Sequence, residues 1–213
     1  MNFNLDSALK VAEFLLQIKA VQLQPKKPFT WASGWKSPIY CDNRKTLSYP
    51  KIRTYIRQEF VSNITQKFGK PDLIVGVATG GIAQGALVAQ EFGVPFAYVR
   101  AKAKDHGLSN LIEGVVESGQ SVVVIEDLIS TGKSSLDAVR ALKKAGCDVK
   151  GMAAIFTYGF DIAQKNFEEE DCTLIALTSY EILIQQALKS QFITDKDISS
   201  LQKWRENPET WVK

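Results

Sequence analysis

Only three cysteines occur in the 213 residues, Cys41, Cys147 and Cys172, far apart and never in C-x-x-C spacing. That argues against a disulfide framework or a zinc site and fits a reducing cytosol. Long apolar runs are missing too, and none approaches the roughly 20 residues that a membrane span needs. The opening "MNFNLDSALKVAEFLLQIKAVQL" lacks a basic stretch before its apolar part, and Leu9, Phe14 and Ile18 are separated by Lys10, Glu13 and Gln17. This is the pattern of an amphipathic helix, not of a signal peptide. Charge of one sign is scarce as well: 26 Lys and Arg against 23 Asp and Glu leave a net charge of +3, with the basic residues scattered. Nucleic-acid binding is a poor expectation, and a small anionic ligand the milder one. A soluble cytoplasmic protein is expected.

What is present is enough apolar sequence, 45% of the chain, for one core. A single domain over residues 1–213 is therefore expected. After the first helix, "QPKKPFTWASGWKSPIYCDNR" has early prolines and a small-residue turn at Ser33 and Gly34, which predict an irregular segment with short strands. "YPKIRTYIRQEFVSNITQKFG" predicts a helix, with Pro50 near its start and Gly69 past its end.

From Asp72 onward the pattern alternates. "DLIVGVA", "PFAYVR", "SVVVIED", "GMAAIFTY" and "TLIAL" are short runs rich in aliphatic residues, several without polar alternation, as in parallel strands buried on both faces. "GGIAQGALVAQEFG" and "KSSLDAVRALKKAG" read as helices between them, each ending at a glycine suited to a C-cap. Alternation of this kind implies an open α/β sheet with ligands at the carboxyl ends of the strands. One segment, "AKAKDHGLSNLIEGVVESG", breaks the rhythm, being long, polar and punctuated by glycine. A loop of that length in a compact domain is usually functional.

"VVVIEDLISTGKSS", Val122 to Ser135, contains a tempting "GKS", but a Walker A loop would need glycine where Asp127 stands. Two adjacent carboxylates, Glu126 and Asp127, suit a ligand with hydroxyls at one end and phosphate at the other. The acids can accept from a ribose diol, while backbone N–H groups and the hydroxyls of Ser130, Thr131 and Ser134 cradle a monophosphate at a helix start. The plainer alternative is a strand-end turn followed by a capped helix.

The stretch Val122 to Ser134 resembles the phosphoribosyl pyrophosphate (PRPP) motif of type I phosphoribosyltransferases. "FTWASGWKSPIYCDNR" and "YVRAKAKDHG" are similar to segments of the orotate phosphoribosyltransferase branch of that family, and the similarity runs through nearly the whole chain to "LQKWRENPETW". The resemblance implies the type I phosphoribosyltransferase fold: an open, mostly parallel α/β sheet flanked by helices, with a small N-terminal hood over about residues 1–45. It implies transfer of the phosphoribosyl group of PRPP to orotate, giving orotidine 5'-monophosphate and pyrophosphate in pyrimidine (UMP) biosynthesis. It also implies Mg²⁺ held mainly through PRPP, and a homodimer whose loop 100–113 enters the partner's site.

Matched position by position, the resemblance makes Glu126 and Asp127 ribose ligands. Leu128, Ile129, Ser130, Thr131, Gly132, Lys133 and Ser134 form the 5-phosphate loop, with Ser130 also next to orotate. Thr79, Gly80 and Gly81 form the pyrophosphate loop, while Arg100, Lys104 and His106 serve the pyrophosphate side. Lys104, His106 and Asp127 are the catalytic candidates. The chain also departs from the family pattern, with Ala32, Gly80 and Ala101 where many members have lysine, and no arginine near Gly159 to hold the orotate carboxylate. Lys102 and Lys133 are candidate replacements for the lysines, and Arg44 and Lys36 for the carboxylate ligand. Two rivals remain: a transferase of the same fold using a purine or uracil, and a PRPP-sensing regulator without catalysis. The first does not account for the N-terminal "FTWASGWKSPIYCDNR", nor the second for a cationic lid.

Overall fold

The protein is described by a computed structural model covering residues 4–30, 34, 36–100 and 111–211. Helix α1 (Leu5–Gln17) begins at Asn4, whose side chain accepts from the Ser7 N–H, and buries Ala8, Val11, Ala12, Leu15 and Leu16 along one stripe. Short strands follow: β1 (Val21–Leu23), β2 (Phe29–Thr30), β3 (Lys36–Ser37) and β4 (Ile39–Cys41). They form two antiparallel ribbons, β1 with β4 and β2 with β3, so the proline-rich segment is irregular with short strands, as its turn residues imply. A 3-10 helix over Asn43–Ser48 leads into α2 (Pro50–Phe68), which starts at its proline and ends at Gly69.

The alternating part is built from β5 (Leu73–Val77), α3 (Gly80–Phe92), β6 (Phe96–Val99), β7 (Ile112–Glu113), β8 (Ser121–Ile129), α4 (Lys133–Lys144) and β9 (Asp148–Thr157). It closes with α5 (Asp161–Glu169), β10 (Leu174–Ser179), α6 (Tyr180–Lys189) and α7 (Asp195–Glu206). The six-stranded sheet has the order β10-β9-β8-β5-β6-β7, parallel except for β7. This is the open, mostly parallel sheet that the alternating pattern implies, and β7, inside the segment read as a loop, is the one antiparallel strand of it among the described residues.

Near-continuous apolar strands are explained by burial on both faces. Val123, Ile125, Ala153 and Ile155 join one core with α1, α2, α3, α6 and α7, whereas Val122, Val124, Met152 and Ala154 join a second with α4 and α5. Period-two side-chain direction thus sends alternate residues of β8 and β9 into different cores. At the carboxyl end of β9, Trp204 of α7 packs its ring among Tyr158, Phe160 and Tyr180. Cys41, Cys147 and Cys172 are free thiols. Among the described residues, no helix is long and apolar enough to cross a membrane.

Candidate active site

Two strand-to-helix turns meet at the carboxyl edge of the sheet, one after β5 and one after β8. The last residues of β8, leading into the second, carry the acid pair. Glu126 is only 6% exposed, and both its oxygens are engaged: Oε1 accepts the Asp127 N–H at 3.0 Å and Oε2 the Ser135 hydroxyl at 2.9 Å. Burial, and then the neighbouring Asp127 carboxyl, push Glu126 up to about 8. Asp127 is raised by burial too, against an opposing pull from the Arg44 guanidinium.

The two carboxyls are therefore not equivalent. Glu126 is tied inward to the first turn of α4, while Asp127 faces the turn after β5. A Cβ on Gly80 would lie 2.3 Å from the Asp127 Cγ, so this close approach exists only because residue 80 has no side chain. At position 80, where many members carry lysine, this chain lets the Asp127 carboxyl approach the backbone. The peptide between Ala78 and Thr79 is cis.

After Asp127 the chain turns through Ser130 and Thr131 to Gly132, which sits at φ +77° and leads directly into α4. A Cβ there would meet the Phe167 ring at 2.6 Å, so both the left-handed backbone and the packing demand glycine. No side chain caps α4 from Gly132, and the first N–H groups of a helix have no partners within it. An anion fits that end through both N–H donors and the helix dipole.

Side chains that the sequence reading did not single out hold this turn. Asn166 of α5 donates to the Thr131 carbonyl at 2.9 Å, and Asn43, at the start of the 3-10 helix, donates to the Asp127 carbonyl at 2.7 Å. Neither is discoverable from spacing, since the partners lie 35 and 84 residues apart. The "CDNR" stretch that carries Asn43 was nonetheless marked by the family resemblance.

The expected cations are dispersed. Arg44 pairs through Nε with Asp42 at 2.7 Å, its side chain 59% exposed, and lies close enough to Asp127 for each to shift the other's titration. Lys36 donates to Thr30 across the β2–β3 ribbon at 2.8 Å. Arg100 is 3.4 Å from Glu113 on β7 and lines a cavity of about 350 Å³ with Ala78, Leu111, Ser134, Arg140 and Lys144. Lys104 and His106 lie outside the described residues, as do Ala32, Ala101 and Lys102. Near Gly159 a cation does exist: Arg205 of α7 donates to the Gly159 carbonyl, its guanidinium 3.5 Å from where a Cβ of residue 159 would stand.

Among the described residues, no three His, Cys, Asp or Glu side chains form a group able to hold a metal ion. The acid pair fits a different arrangement, a hard cation that takes most of its oxygens from substrate and water.

A parallel sheet with an acid pair and a helix-start anion cradle side by side at its carboxyl edge defines a phosphoribosyltransferase. The phosphoribosyl transferase domain family matches residues 47–191, and the chain belongs to it. The particular branch follows from its relatives. It is 57% identical to the orotate phosphoribosyltransferase of Phocaeicola vulgatus over 200 residues, covering 94% of each chain. To that of Porphyromonas gingivalis it is 54% identical, covering 94% of this chain and 96% of the other. The chain is thus a member of the orotate phosphoribosyltransferase family. Among solved structures, the orotate phosphoribosyltransferase of Aeropyrum pernix matches with a TM-score of 0.74 and 25% identity, over 83% of this chain and 97% of that one. The UMP synthase of Leishmania donovani matches with a TM-score of 0.75 and 26% identity over 92% of this chain, which spans 42% of that larger protein.

Proposed function

We propose that this chain is an orotate phosphoribosyltransferase of pyrimidine biosynthesis: a ring nitrogen of orotate displaces pyrophosphate from C1 of PRPP, giving orotidine 5'-monophosphate. The observation that carries this reading is the inequivalent acid pair beside an uncapped helix start. Asp127, beside the turn after β5, is placed to accept from the ribose diol, and Glu126 braces it by accepting the Asp127 N–H while the Ser135 hydroxyl holds its other oxygen. The N–H groups and hydroxyls of Ser130, Thr131 and Ser134, with Lys133, take the 5-phosphate.

Displacement at C1 passes through a state with oxocarbenium character, so catalysis depends on positioning and on stabilising the leaving group more than on a strong base. The turn after β5 offers backbone around Thr79, Gly80 and Gly81 to the pyrophosphate. Mg²⁺, held mainly through PRPP beside the Glu126–Asp127 pair, would neutralise charge on the leaving pyrophosphate when bound. Arg100, Lys104 and His106 belong to the pyrophosphate side, from a loop that serves the partner subunit in a homodimer. Ser130 lies against the base, and we assign the orotate carboxylate to Arg44, the cation already electrostatically coupled to Asp127, with Lys36 and Arg205 as the alternatives.

Incubation with PRPP, Mg²⁺ and one base at a time tests the activity. Pyrophosphate release and orotidine 5'-monophosphate formation are expected with orotate and not with uracil, adenine or hypoxanthine; release with one of those instead would overturn the substrate assignment. Mixing inactive Lys104→Ala chains with inactive Asp127→Asn chains tests the shared loop. Partial recovery is expected, and none in verified mixed dimers would remove the partner-subunit role.

A further inference from the structure

We propose that Asn43 is a positioning residue for PRPP, holding Asp127 in register with the turn after β5 through a buried polar relay that ends in α3. The inference rests on the proposed PRPP role of Asp127 and adds a component to that site.

Asn43 is 1% exposed, and its Nδ2 donates to the backbone carbonyl of Asp127 at 2.7 Å. The orientation of its amide is fixed from the other side, where the Cys41 thiol donates to Oδ1 at 3.3 Å. A flipped amide would set oxygen against the carbonyl of Asp127 and NH₂ against the thiol. Burial and the Asp127 charge keep the Cys41 thiol protonated, which preserves the donor.

Backward from Asn43, the Thr46 hydroxyl donates to the Asn43 carbonyl at 2.6 Å and accepts from Gln84 Nε2 at 3.2 Å. Thr46 and Gln84 are both buried. Gln84 lies one turn into α3, the helix that starts at Gly80, whose Cα region the Asp127 carboxyl touches. The relay therefore spans the two turns that the proposed function assigns to ribose and to pyrophosphate, and fixes their separation from beneath. A packing role alone needs no polar chain: an apolar plug would fill the same space without the desolvation cost of buried amides and hydroxyls.

The test compares Michaelis constants for PRPP and orotate, PRPP affinity by calorimetry, and melting temperature. Asn43→Ala leaves the Asp127 carbonyl without its buried donor, and PRPP binding is expected to weaken about tenfold with the orotate constant within about twofold. Thr46→Val is expected to act in the same direction more weakly, and Thr46→Ser to be silent because it keeps the hydroxyl.

Asn43→Asp gives a signature that loss of packing cannot. As an acid it can still donate to the Asp127 carbonyl; once ionised it sets a carboxylate there. Around it are Asp127 of β8, Cys41 of β4 with Tyr158 beyond the thiol, and Asp42, Arg44 and Lys45 on its own segment, and burial together with the Asp127 carboxyl favours the protonated form. PRPP affinity relative to the parent should therefore be near normal at low pH and fall as pH rises through the upshifted titration of the introduced carboxyl. Equal weakening toward both substrates in step with melting temperature, or a flat pH ratio for Asn43→Asp, would overturn the inference. If the parent protein turned over no orotate, the functional reading would fail, while PRPP calorimetry on these variants would still decide the role of Asn43.

Discussion

The turns after β5 and after β8 occupy adjacent strands at the same edge of the sheet, yet they are built on opposite plans. The first is bare: Gly80 and Gly81 bring backbone and no side chain, and a neighbouring carboxyl fills the space that a side chain would take. The second is furnished, with two acids, three hydroxyls and a lysine over Glu126 to Ser134, and its carbonyls are pinned by Asn43 and Asn166. The absence of a side chain at Gly80 is what leaves room for the Asp127 carboxyl in this arrangement. A substrate bound across both would meet backbone donors on one side and charged or hydroxyl side chains on the other.

The largest effect should come from furnishing the bare turn. Gly80→Ala forces a Cβ to within 2.3 Å of the Asp127 Cγ. The carboxyl must swing away, and kcat/KM for PRPP is expected to fall by roughly 100-fold or more, about 3 kcal/mol in transition-state binding. A near-parental far-ultraviolet circular dichroism spectrum would show the effect to be local; full activity would mean that the contact is dispensable.

Disturbing the furnished turn at its hinge should cost less. Gly132→Ala puts a side chain at φ +77° against Phe167, a strain of about 1–3 kcal/mol. Thermal unfolding should show that loss, and the PRPP constant should rise about tenfold as the helix start shifts. An unchanged PRPP constant alongside reduced stability would separate the hinge from binding.

The last effect is on stability alone and depends on pH. Glu126, held near 8 when folded, binds more protons in the folded than in the unfolded chain between its ordinary value of about 4.5 and 8. Stability therefore falls as pH rises through that window. Glu126→Gln removes this dependence, so in the absence of substrate it should gain on the parent as pH rises from about 5 to 8, by at most about 1.4 kcal/mol per pH unit, and no further above that. A constant difference across the range would mean that Glu126 is not held protonated.

Much of the fold is legible in the sequence because β5, β8 and β9 are buried on both faces, and runs such as "SVVVI" have few other readings. The furnished turn was equally legible, since acids and hydroxyls advertise chemistry. The bare turn was legible as the pyrophosphate loop through the family resemblance, but its close contact with Asp127 was not. Glycine at position 80 reads as a missing lysine until Asp127 is seen to fill its place. Asn43 was invisible for a related reason, its partner lying 84 residues away in the chain. Strand β7 was hidden because Ile112 and Glu113 are too short a run to show alternation, and Arg205 because only the packing of α7 brings a guanidinium to Gly159.

Calorimetric titration of PRPP with Mg²⁺ into the parent protein and into Asp127→Asn tests the division of labour most directly. Asparagine keeps the size of the side chain while removing the charge and half of the acceptor capacity, so PRPP should bind at least about tenfold more weakly to a protein of unchanged fold. Equal affinity in the two proteins would show that the acid at the end of β8 does not hold the ribose.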